Sequence, residues 1–256
     1  MVTPVSVQEV VQLHNDLVDA DEDIERIAAL EWRAMKLVHQ QPRSFSAHVC
    51  YGSILLSLAK RELATQELIA AYDLFDPRDT TAANGLAVSL AKAGFYDQSL
   101  TIYKKELALS RLANLEGVIT NASMVAALSG EVDFLNELSQ HANSGALIAK
   151  EYLRILELHG LLDHFKAHQQ IVRAAILDRQ CSGILRAFQE EDDAPILFCE
   201  YKILCDRQTR KNLDRQIFDQ LENYYVSQDL PPGHYIGKVS TVLVPVSEYR
   251  QGEKAA

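Results

Sequence analysis

The chain has 256 residues, is 48% hydrophobic and carries a formal net charge of −10. That length allows one large core or two small ones, and the acidic balance argues against a broad nucleic-acid-binding surface, which needs clustered Lys and Arg to displace counterions. Glycine (11) and proline (7) are sparse, which favours helix, because neither residue suits a helix interior.

Apolar residues recur at helical spacing along most of the chain. Val7, Val10, Val11, His14, Leu17 and Val18 trace one face of a first helix. Asp21 and Asp23 precede a second helix, traced by Ile24, Ile27, Ala28, Met35 and Val38, and acids in that first turn complement the helix dipole. Pro42 closes this pair, Ser44 or Ser46 can cap a third helix running through Leu58, and a fourth spans about Glu62 to Phe75, ended by Pro77. Beyond them Gly94, Gly130 and Gly160 each separate two apolar-periodic runs, 36 and 30 residues apart. A glycine in the left-handed conformation stops one helix and lets the next fold back. The run from Glu190 to Pro195, Glu-Glu-Asp-Asp-Ala-Pro, predicts a loop and a capped helix start, with helices over about Pro195 to Asp206 and Thr209 to Val226. The only strand expected lies in Tyr235 to Val246, rich in β-branched residues and without helical period.

The punctuation implies an internal repeat. Ser57 and Ser89 each open Ser-Leu-Ala-Lys, 32 residues apart. Repeats of this length built from helix pairs indicate a solenoid, in which stacking creates the core that one pair cannot. The stretch Thr80 to Arg111 resembles the tetratricopeptide repeat. Leu86 and Ala87 match its leucine and small residue, Gly94 its turn glycine, Tyr96 the aromatic after the turn, Ser99 its small position and Tyr103 its large aromatic one. Pro77 matches the proline ending the preceding unit. The stretch departs from the family at Ala83, Glu106 and Arg111, which stand where the opening Trp, the last small residue and the closing proline belong. The resemblance covers roughly Ser46 to Leu177. It implies an all-α, right-handed solenoid of helix–turn–helix repeats with a short C-terminal extended segment. The expected segments are an N-terminal helix pair (1–42), repeats (43–180), capping helices (181–229) and an extended tail (230–256).

Within this family the first helix of each pair lines the inner groove. The resemblance therefore places Asn84, Val88, Ala91 and Lys92, then Asn121, Met124 or Ser123, and Ala127, where a peptide would bind. Asn offers a donor and an acceptor to an extended backbone. A clamp for a terminal carboxylate would pair Lys92 with a second inner cation, which the sequence does not offer. In the tail, alternation puts Val239, Thr241, Leu243 and Pro245 on one side, and both sides carry apolar groups. A lone strand wants pairing for its backbone, so Val239, Thr241 and Leu243 are expected at an oligomer or partner interface.

Signals for chemistry are weak. His164 and His168 lie four apart, a spacing that can hold a metal, but Phe165 stands where a zinc hydrolase needs its glutamate; two histidines on a solvated face are expected. Asp19, Asp21, Glu22 and Asp23 read as capping and solvation, and Arg207, Arg210, Lys211 and Arg215 as a salt-bridged surface. Cys50, Cys181, Cys199 and Cys205 form no Cys-x-x-Cys pair and read as free thiols of a reducing compartment. No phosphate loop, nucleophile elbow, basic secretory leader or membrane-length apolar run stands out. The expectation is a cytoplasmic, non-enzymatic interaction module or adaptor with protein partners. It would have no cofactor or metal, no nucleic acid and no membrane, and could form a homo-oligomer. The alternative is an architectural subunit or an assembly or secretion chaperone of a larger complex that uses the strand and outer surfaces.

Overall fold

The computed structural model describes residues 7–20, 23–58, 60–76, 82–108, 115–142, 144–158, 160, 162–178, 182–191, 194–204, 207–229 and 239–245. The chain divides into two compact units, Met1–Ala113 and Asn114–Ala256.

The first unit contains α1 (Val7–Ala20), α2 (Ile24–Gln40), α3 (Phe45–Ser57), α4 (Arg61–Leu74), α5 (Ala83–Lys92) and α6 (Tyr96–Ala108). The starts of α2 and α3 follow from their caps. The Asp23 carboxylate accepts from the Glu25 and Arg26 amides, and Ser44 Oγ accepts from the Ala47 amide at 3.3 Å. Asp21 and Pro77 lie outside the described residues. The buried face of α1 is Val10, Leu13 and Ala20, while Val11, His14 and Val18 are exposed. This corrects the expected face: both stripes have 3–4 spacing, and the one holding Leu13 buries more apolar surface. On α2 the core positions are Ile27, Leu30, Ala34 and Leu37, and Ala28 is exposed.

Ten of the thirteen residues of α3 are buried, because it packs against α1, α2, α4 and α5. Each fully buried Ile54 or Leu55 contributes about 1.5–3 kcal/mol. His48 on this helix places Nδ1 2.6 Å from a Glu67 carboxylate oxygen on α4 and Nε2 3.2 Å from the Pro42 carbonyl. Helices α1, α3 and α5 touch in series. Helix α3 meets α4 where Gly52 leaves room: a Cβ there would stand 2.7 Å from Leu68. The α5–α6 hairpin closes through Ser99, whose hydroxyl donates to the Ala87 carbonyl at 2.7 Å, with Tyr96 and Tyr103 buried beside it. Its turn is capped by two bonds, Phe95 N–H to Leu90 O and Gly94 N–H to Ala91 O, and Gly94 has φ 92°.

The second unit contains α7 (Leu115–Ser129), α8 (Val132–Ser139), α9 (Gly145–Leu158), α10 (Leu162–Asp178), β1 (Ser182–Glu191), β2 (Ala194–Leu204), α11 (Arg207–Ser227) and β3 (Val239–Pro245). Gly130 (φ 66°) and Gly160 (φ 63°) take the left-handed turns expected of them. Helix α7 packs on α8, α9 and α10, α9 on α8 and α10, and α10 on α11.

The helical character holds across the eleven helices among the described residues. The expectation of an all-α chain fails at 182–204. The predicted helix from Pro195 to Asp206 is instead β2, paired antiparallel with β1 and parallel with β3 in the order β1-β2-β3. The run Ile196 to Cys199 is continuously apolar, and a short apolar run cannot be told from a buried helix segment by periodicity alone. Pro195 cannot donate to a ladder. It falls at the register shift between Glu190 and Glu191 and precedes the β3 pairing, which starts at Leu197. The tail is therefore not a strand in a protein without a sheet, because β2 is its partner.

Candidate functional site

In the first unit the half-buried positions of α3 are Ser46, Ser53 and Ser57, and those of α5 are Asn84, Gly85 and Val88. They form a small-residue, mostly polar stripe. Two of its serines are ordered by one another's neighbours. Ser53 Oγ donates to the Val49 carbonyl at 2.8 Å and lies 2.7 Å from Ser89 Oγ. With its one proton committed, the Ser53 hydroxyl accepts from Ser89. This bond joins α3 to α5 across 36 residues of sequence. Ser57 Oγ in turn donates to the Ser53 carbonyl at 3.1 Å.

Of the residues expected in the groove, Asn84 and Val88 are half-buried on α5 and Lys92 is exposed at its last turn. The Asn84 side-chain oxygen Oδ1 accepts from the Tyr103 hydroxyl at 3.2 Å, so its acceptor is engaged inside the hairpin. Burial raises the Tyr103 phenol far above its ordinary pKa, which keeps it a neutral donor. Ala91 is 2% exposed and belongs to the core, not to a groove. In the second unit Asn121 and Met124 are half-buried on α7, whereas Ser123 and Ala127 are fully buried; Ser123 Oγ donates to the Ile119 carbonyl. The beginning of α9 sits hard against this helix: a Cβ on Gly145 would lie 2.4 Å from the Glu116 carbonyl oxygen. The Asn84 set and the Asn121 set belong to different units. Sequence reasoning did not place the serines of α3 in the groove: Ser46 was read as a possible cap and Ser57 as the start of a repeated motif.

The expected tail positions Val239, Thr241 and Leu243 pair with Leu197, Cys199 and Tyr201 of β2. Leu243 is 4% exposed, and Arg210 of α11 reaches its carbonyl at 3.5 Å. Leu243 is a packing residue of this unit, so the expected role at an interface is corrected for its side chain. Burial raises the carboxyl pKa of Asp214, one turn from Arg210, with Arg210 opposing.

His164 and His168 do not share a solvated face. His168 is 2% exposed, and burial pushes its imidazole down to about 4. His164 is half-buried, with Nδ1 3.3 Å from the Tyr224 hydroxyl and the two rings edge to face at 6.3 Å. Among the described residues no group of three or more His, Cys, Asp or Glu side chains could hold a metal ion. Cys50 is buried, its thiol pushed up to about 11.

A second surface, absent from the sequence reading, lies on α2. Trp32, the one tryptophan of the chain, is 62% exposed. Lys36 Nζ stands 5.3 Å from its ring centre. The position is off the buried stripe of Ile27, Leu30, Ala34 and Leu37, and that offset is the signal that would have found it.

No known family model, curated protein or solved structure matches the chain. No helix among the described residues is long and apolar enough to cross a membrane.

Proposed function

We propose that the chain is a non-enzymatic protein-interaction module of tetratricopeptide-like helical repeats, whose first helices hold an extended partner segment. The observation that carries this reading is the Ser53–Ser89 bond between α3 and α5, 36 residues apart in sequence, within a series in which α1, α3 and α5 pack on one another. A repeat needs such a register to present successive first helices side by side. The stripe they present, Ser46, Ser53, Ser57, Asn84 and Val88, combines small hydroxyls with one amide. It suits backbone recognition by shape and hydrogen bonds more than recognition of a charged group. In the second unit α7 and α9 pack on one another in the same manner, and Asn121 and Met124 offer the equivalent contact chemistry.

The test is site-specific photo-crosslinking in the native cell. A photoreactive residue at Val88 or at Met124 should capture a discrete protein partner, and the same residue at Lys105 or Glu137, both exposed on second helices, should not. Equal capture from all four positions, or capture from Lys105 and Glu137 alone, would sink the groove reading.

A further inference from the structure

We propose that the outer face of α2 is a separate docking site for an acidic protein segment that carries an apolar anchor. Trp32, Lys36 and His39 recur at intervals of four and three, so they share one stripe of the helix. Trp32, Met35, Lys36, His39 and Gln40 line an open hollow of about 350 Å³. The next turn adds a second hollow, lined by Gln41, Pro42, Arg43 and Ser44. The exposed cations here are Lys36 and Arg43, and no Asp or Glu lines either hollow. The acids closest in sequence are occupied or displaced. Glu31 is bonded to Lys60 at 2.6 Å, and Glu25 belongs to the first turn.

Charge complementarity selects the occupant. The chain as a whole carries net charge −10, yet here it exposes an aromatic ring with Lys36 beside it and Arg43 beyond the end of the helix. An exposed tryptophan beside Met35 gives an apolar side chain a surface to stack on, and hot spots are enriched in Trp and Arg. Lys36 beside the ring and Arg43 at the second hollow then steer and orient carboxylates along the segment. This site is independent of the first-helix stripe proposed above, so each can fail alone.

Trp32 is its own reporter, since the sequence holds no other tryptophan. The probe is a fourteen-residue peptide with Leu at helical spacing and Glu elsewhere. Its addition to the full chain should shift Trp32 emission to the blue. The same peptide with Gln in place of every Glu should give no shift. Anisotropy of the fluorescein-labelled acidic peptide should show at least about tenfold weaker binding to Trp32→Ala and about tenfold weaker binding to Lys36→Glu/Arg43→Glu. A Lys105→Glu/Lys150→Glu control, with the same change in net charge, should bind as the parent does. Trp32 is mostly exposed, so circular dichroism should show its variant folded. The proposal is overturned if the acidic peptide leaves Trp32 emission unchanged, or if the Gln peptide binds equally well. It is likewise overturned if the control pair weakens binding as much as Lys36→Glu/Arg43→Glu does. Vesicles of phosphatidylserine and phosphatidylcholine that shift Trp32 where the peptide does not would assign the patch to an anionic lipid surface instead.

Discussion

A buried imidazole holds a second proton poorly, because charging it away from water costs more than leaving it neutral. His168 is in that position, pushed down to about 4 from 6.5. Between those two values the unfolded chain binds more protons than the folded one, so folding stability is whole above pH 6.5 and is lost as pH falls toward 4. A shift of this size is worth about 3 kcal/mol. Urea midpoints of the parent and of His168→Leu, followed from pH 7.5 to 4.5, should therefore diverge in slope, with the parent declining more steeply. Parallel declines would show that His168 does not govern acid sensitivity. Cys50 makes the matching case for an acid: its thiol is pushed up to about 11 and its sulfur sits 3.9 Å from the Val10 carbonyl. The thiolate is the reactive species, so iodoacetamide at pH 7.5 should modify Cys50 only after urea unfolding, as read by peptide mass spectrometry. Rapid labelling of Cys50 in the folded protein would contradict its burial.

At the scale of elements, the turn glycines separate two costs that sequence cannot separate. Gly130 and Gly160 have nearly the same left-handed backbone, φ 66° and 63°. A Cβ at Gly160 would meet nothing within 4 Å, but at Gly130 it would stand 2.6 Å from the Lys166 Cα of α10. Gly160→Ala should cost only the left-handed strain, about 1–2 kcal/mol, whereas Gly130→Ala adds a backbone clash worth about 1–3 kcal/mol more. Thermal melts should rank the two well apart, and equal losses would refute the close approach of α10 to that turn. The three glycines were legible because a helix that must reverse sharply advertises its stop. The buried face of α1 was misassigned because Val11, His14 and Val18 recur at helical intervals as Val10, Leu13 and Ala20 do, and only packing decides between them. Strand β2 was invisible for a different reason. The loop at Glu190 to Pro195 was read as the start of a helix, and the continuous apolar run Ile196 to Cys199 that follows it has no alternation of polarity to mark a strand. Among the site residues, Asn84 and Val88 lie half-buried on α5, whereas Ala91 lies in the core. A small residue one turn further along fits the core as well as the groove.

At the scale of the molecule, each unit carries its own core, and the tail belongs to the second. Strand β3 supplies a parallel ladder to β2 from Leu197 to Ile203, Leu243 is buried, and Arg210 ties the Leu243 carbonyl to α11. Removing residues 239–256 takes away that ladder and uncovers an edge of β2, whose backbone groups must then find water or another strand. Burial of Leu243 alone is worth about 2 kcal/mol, and each kcal/mol moves the melting temperature of a chain this long by about 2–4 °C. The truncated chain should therefore melt at least about 5 °C below the parent by circular dichroism. Its first unit holds both Trp32 and Cys50, so at 25 °C the emission of Trp32 and the protection of Cys50 should stay as in the parent. The uncovered β2 edge should also raise self-association in light scattering, because an exposed strand edge templates pairing between chains. A tail acting only as an interface predicts the reverse, an unchanged melt with lower mass. An unchanged melt would remove β3 from the folded core. A loss of Cys50 protection would show that the first unit depends on the tail as well.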